Sequence, residues 1–90
     1  MSDYKYQELE NHLRDIAKDK LSISLSFKQI EDILGFDLPK SARTHRAWWG
    51  NEIDTSSRSQ ARAWRNAGFV VESLQQNRAG SVQFKRVRLP

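Results

Sequence analysis

The chain has no cysteine among its 90 residues. That absence excludes a disulfide framework, thiolate metal sites and any redox chemistry resting on a thiol. Histidine is scarce as well: His12 and His45 lie too far apart in sequence to suggest a local metal pair. No nucleophile, carboxylate pair or Gly-rich phosphate loop accompanies His45 at a recognisable spacing. Neither an enzyme nor a bound cofactor is therefore expected. No apolar run approaches the roughly 20 residues of a membrane span. Met1-Ser2-Asp3-Tyr4-Lys5 holds no apolar signal core. These absences lead us to expect a cytoplasmic protein of a bacterium, virus or similar host. The sequence shows no internal repeat and no low-complexity tract.

What is present suits one small domain. Apolar residues make up 38% of the chain and charged residues 29%, and three Trp, four Phe and two Tyr supply core mass. A chain of this size buries roughly 60–70% of its unfolded surface. The net charge of +4 is unevenly divided: residues 1–37 carry five basic and eight acidic side chains, residues 38–90 ten basic and three acidic. The basic half favours arginine, with eight Arg against Lys40 and Lys85. Arginine suits bidentate contacts to phosphate and guanine. With a pI near 9.8, this polarity points to a polyanionic partner. Glu31, Asp32 and Asp37 read as solvated acids that keep the first half away from DNA.

Residues 4–18 read as an amphipathic helix. Tyr6, Leu9, Leu13, Ile16 and Ala17 recur at helical spacing, and Ser2 or Asp3 is available as a cap. Leu21-Ser22-Ile23-Ser24-Leu25 alternates with period two, as a half-buried strand does. Ser26 and Gln29 have capping-box spacing at the head of a second helix bearing Phe27, Ile30, Ile33 and Leu34, with Gly35 as its left-handed C-terminal cap. A third helix is expected from Pro39 or Ser41 to Trp49, ending at Gly50. Asn51–Ser57 reads as a polar loop. Residues 58–67 then form a fourth helix capped by Ser56 or Ser57, with Ala61, Trp64 and Ala67 inward and Arg58, Arg62 and Arg65 outward. Phe69–Leu74 and Ser81–Val87 read as a hairpin around Gln75–Gly80.

The lone strand needs partners, and the terminal hairpin is the one available. The expected fold is therefore α+β and winged-helix-like. Its helices pack on a three-stranded antiparallel sheet, with one more helix before the hairpin than a winged helix-turn-helix has.

Two constellations carry the chemistry. Residues 38–51 join Lys40, Arg43, His45 and Arg46 to the adjacent Trp48 and Trp49. Consecutive helical residues point about 100° apart, so one ring is expected in the core and the other at its boundary or surface. Trp49, which shares a face with Ala42, reads as core; for Trp48 core and binding surface stay open. The second constellation is the Arg58/Arg62/Arg65 stripe, where no acid lies between Asp54 and Glu72 to pair locally. It spans roughly 10 Å of helix, suited to a major groove. Arg78 sits at the hairpin tip, placed to reach a phosphate, and the charges of Lys85-Arg86-Val87-Arg88 are available to blunt an exposed edge.

The string from Leu25-Ser26-Phe27 through Leu38-Pro39-x-Ser41-Ala42-Arg43 and Trp48-Trp49-x-Asn51 continues to Gln60-Ala61-x-Ala63-Trp64-x-x-Ala67-Gly68-Phe69-x-Val71 and Val82-x-Phe84-x-Arg86. Nearly the whole chain thus resembles a family of small, largely uncharacterised bacterial and phage domains. The resemblance implies that Ser41, Arg43, Trp49, Asn51, Gln60 and Trp64 belong to the family's pattern. It carries over no catalytic residue. The leading expectation is a non-catalytic domain that binds duplex DNA through Lys40, Arg43, Arg46, Arg58, Arg62, Arg65 and Arg78, without metal or cofactor. The other is a protein-interaction module of a phage or host-defence system.

Overall fold

A computed structural model describes residues 5–51, 60–77 and 79–87. Its first helix, α1, is Gln7–Arg14, shorter at both ends than the apolar periodicity suggests. Tyr6 stands at its start without a side-chain cap bond; Ser2 and Asp3 lie outside the described residues. Beyond Arg14 the backbone tightens, with the Asp15 N–H shared between the Asn11 and His12 carbonyls and the Ile16 N–H on Leu13 O. Ile16 and Ala17 therefore belong to a turn. The Arg86 guanidinium holds that turn by donating to the carbonyls of Ile16, Ala17 and Lys20.

Strand β1, Ser22–Ser26, follows and runs into α2, Phe27–Leu34. The expected capping box is present in full: Ser26 Oγ accepts from the Gln29 N–H at 3.0 Å, and Gln29 Oε1 accepts from the Ser26 N–H at 2.8 Å. Gly35 closes the helix at φ 85°.

The third helix is not the single element expected up to Trp49. Helix α3, Lys40–Thr44, stops at His45, whose backbone is extended, and a separate 3₁₀ turn covers Arg46–Trp49. The reason lies in one carbonyl. In a continuous helix Ala42 O would accept the Arg46 N–H. Instead it takes the Trp49 indole N–H at 2.7 Å and the Gln76 amide at 3.2 Å. Thr44 Oγ1 meanwhile turns back onto Lys40 O and touches His45 Nδ1, a local competitor of helical bonding. The break lets both indoles reach the core region: Trp49 is buried, and half-buried Trp48 sets its edge against Tyr6 at 5.8 Å.

Helix α4 is Gln60–Asn66. Its proposed caps, most of the preceding loop and Arg58 lie outside the described residues. Ala61, Trp64 and Ala67 face inward as expected, joined by Ala63 and Gln60. The hairpin strands are β2, Phe69–Gln75, and β3, Ser81–Arg86. The sheet is antiparallel in the order β1-β3-β2, with Ile23 opposite Phe84 and Phe84 opposite Val71. A bulge at Glu72 shifts the β2 register. The fold class is thus α+β, the described residues forming four α-helices packed on a three-stranded antiparallel sheet. Because β3 is the central strand, Arg86 blunts no edge, contrary to expectation; it stacks on Phe69 at 4.6 Å beneath the α1 turn.

A column of rings forms the centre. Phe27 stacks on Trp49 at 5.5 Å, Trp49 on Trp64 at 5.7 Å, and Trp64 meets Phe84 at 5.7 Å. Gly80 closes one end: it is buried at φ 64°, and a Cβ there would overlap the Phe27 ring.

Candidate nucleic-acid interface

The basic residues singled out in the sequence divide into two groups. Lys40 and Arg46 are exposed at the start of α3 and in the 3₁₀ turn, and Arg62 is exposed on α4. Arg43 and Arg65 are half-buried, and Arg43, Arg46 and Arg65 each hold a partner within the protein. Arg58 and Arg78 lie outside the described residues.

Arg43 pairs with Glu31 at 2.9 Å and lies over the Phe27 ring at 5.3 Å. Glu31 Oε2 also accepts the Leu38 N–H at 2.8 Å, so one carboxylate ties α2 to the connector and to α3. Burial alone would raise the Glu31 pKa. The Leu38 and Arg43 hydrogen bonds and the charges of Arg43 and Lys28 outweigh it, and the carboxyl sits below its ordinary value of 4.5. Arg65 donates to Asn51 O at 2.7 Å, bracing the end of the described segment that precedes α4.

Asn51 itself is the residue that sequence reasoning passed over, beyond noting it as part of a family pattern. Its Oδ1 accepts from Val71 N–H at 2.7 Å and from Trp64 Nε1 at 3.0 Å, while its Nδ2 donates to Val71 O at 3.0 Å. The side-chain amide thus pairs with the outer edge of β2 as a neighbouring strand would. Farther along the same edge the Arg46 guanidinium reaches Leu74 O at 3.3 Å. Gln60 Nε2 donates to Trp48 O at 3.0 Å. An Asn after a Trp-Trp-Gly turn is a signal for a structured loop, but nothing local names Val71 as its partner.

Polar and basic side chains thus line the outer edge of β2. Arg65 and Asn51 stand at one end, Arg46 and Gln76 at the other, and Lys40 and Arg62 lie exposed on the elements that carry them. Residues 38–51 and 60–71 contain no acid. Glu72, on β2 itself, leans toward Lys85 at 3.9 Å. The described residues contain no group of His, Asp and Glu able to hold a metal ion. His45 is exposed and its Nδ1 meets Thr44 Oγ1 at 2.8 Å. This side of the sheet carries positive charge, with its Asn51, Arg65, Arg46 and Gln76 donors engaged by backbone carbonyls.

The chain belongs to the family described as Domain of unknown function (DUF7662), whose model matches residues 6–87. No curated protein and no solved structure matches it. Among the described residues no helix is long and apolar enough to cross a membrane.

Proposed function

We propose that this member of the family is a non-catalytic DNA-binding domain of winged-helix plan, working in the cytoplasm of a bacterium or of a phage-infected cell. One observation carries the reading: α4, the helix that leads into the β2–β3 hairpin, turns Arg62 outward and carries Arg65 along its flank, in a stretch whose own sequence holds no acid. In a winged helix-turn-helix the helix before the hairpin enters the major groove. The strand order β1-β3-β2 supports the same plan, because it pairs the strand between the first two helices with that hairpin. Lys40 and Arg46 flank the helix as phosphate contacts, and Arg58 and Arg78 extend the set on sequence grounds.

On this reading the pattern that runs through Arg43, Trp49, Asn51, Gln60 and Trp64 is the family's folding signature. Its members hold Glu31, Ala42 O, Val71 and Trp48 O, and none is left to read a base. The same fact favours the second reading, a protein-interaction module, since engaged arginines leave fewer cations for phosphate.

The test is fluorescence anisotropy with random duplex at two salt concentrations, comparing the wild type with a Lys40→Ala/Arg58→Ala/Arg62→Ala variant that leaves Arg65 in place. The variant is expected to stay folded, to bind more weakly, and to flatten the log–log salt slope by about 0.9 for each phosphate contact removed. A folded variant with an unchanged slope, or a wild type that binds no duplex, would put the protein-interaction reading first.

A further inference from the structure

The two edges of the sheet are finished differently. In an antiparallel ladder, alternate residues turn their N–H and C=O to opposite sides. The bonds from Arg86 N–H to Leu21 O and from Phe27 N–H to Gly80 O commit the odd-numbered residues of β1 to β3. Ser22, Ser24 and Ser26 therefore turn their backbone groups outward. Ser26 is spent at the head of α2, where its N–H meets Gln29 Oε1 and its carbonyl opens the helix. Ser22 and Ser24 each keep an N–H and a C=O; both residues are exposed, and no described residue reaches those groups.

The β2 edge is covered at several points. Asn51 covers both groups of Val71, Arg46 covers Leu74 O, and the Glu72 bulge breaks the line. Strand β1 has no bulge and no proline, and no charge occurs from Leu21 to Phe27. An edge left straight, uncharged and unpaired is a template for another strand.

We propose that β1 is the contact through which two copies of this chain associate, antiparallel, about a two-fold axis passing Ile23. The register follows from the groups available. With Ser22 opposite Ser24 of the second copy, every free N–H and C=O on those serines is paired in both copies. Centring the axis on Ser22 or on Ser24 pairs only one serine of each copy, and a one-residue slip turns the apolar face of one copy to the polar face of the other. The favoured register sets Ile23 against itself. It also brings Leu21, which is 70% exposed and the most exposed large apolar side chain described, beside Leu25 of the second copy. A strand that complements itself in hydrogen bonds and in apolar side chains fits an isologous contact. The contact is short, so the association is weak. It does not depend on the DNA-binding reading.

The experiment is sedimentation equilibrium of the full chain over a range of concentrations. The wild-type mass is expected to rise from 10.5 kDa toward twice that value. Ser24→Pro removes an N–H that points away from β3, so the ladder within the sheet is kept. It is expected to retain the far-UV spectrum and to remain at 10.5 kDa throughout. Leu21→Lys, at an exposed position, is expected to weaken association at least tenfold while remaining folded. The proposal is overturned if the wild type remains monomeric up to about 1 mM, where even a weak specific contact registers. It is overturned equally if either variant, folded, associates as tightly as wild type. Should Ser24→Pro fail to fold, Leu21→Lys decides.

Discussion

Replacing Asn51 by Ala should be among the most damaging single changes available outside the apolar core. The side chain makes three hydrogen bonds, to Trp64 Nε1 and to the N–H and C=O of Val71. Trp64 is fully buried, so its indole N–H would be left without water or protein partner, at about 1–3 kcal/mol. Val71 is half-buried, and water replaces part of what it loses. The total is about 2–4 kcal/mol. A domain of this length has about 5–13 kcal/mol to lose in all. The melting temperature should fall by about 10–25 °C, read by far-UV circular dichroism, with urea unfolding to fix the free energy. A double-mutant cycle with Trp64→Phe isolates the indole bond, because that change removes the same donor; a coupling of about 1–2 kcal/mol is expected. A loss below about 1 kcal/mol for Asn51→Ala, or a cycle additive within about 0.5 kcal/mol, would refute the view that this amide finishes the β2 edge.

Two further outcomes follow from single contacts. Gly80→Ala forces a Cβ into the Phe27 ring at a positive φ, and should cost about 2–4 kcal/mol in urea unfolding; a wild-type midpoint would show that the hairpin simply moves aside. The Glu31 carboxyl lies below its ordinary value in the folded chain, so the unfolded state binds its proton first. Its stabilisation is complete above the unfolded value and is lost as the pH falls through the folded one. Melting followed downward from pH 6 should therefore fall less steeply in Glu31→Gln than in wild type, and parallel curves would remove Glu31 from the acid response.

Much of the frame was legible because local chemistry dictated it. The Ser26/Gln29 box, Gly35, the alternating strand at 21–25 and the inward row Ala61, Trp64 and Ala67 all appear where their spacing put them. What the sequence hid depends on partners far along the chain. Periodicity carried α1 on to Ile16 and Ala17, but Arg86 holds them in a turn from more than sixty positions away. The α3 break likewise follows from Ala42 O taking side-chain donors from Trp49 and Gln76 in place of its own helix. For the candidate interface, counting acids near each arginine found the cations but misjudged their freedom. Arg46 and Arg65 are engaged by backbone carbonyls, which carry no letter in a sequence.

The ring column bears on how such a chain is made. Its members, Phe27, Trp49, Trp64 and Phe84, come from α2, the 3₁₀ turn, α4 and the last strand, so no contiguous half of the chain contains it. The sheet imposes the same wait: β1 is an early strand whose one neighbour among the described residues is β3. A ribosome delivering this polypeptide from its N-terminus releases helices with nothing to close on until β3 has emerged. Long-range pairing of this kind postpones the reward for loop closure. The domain accordingly assembles in one late step, once β3 is free to pair with β1.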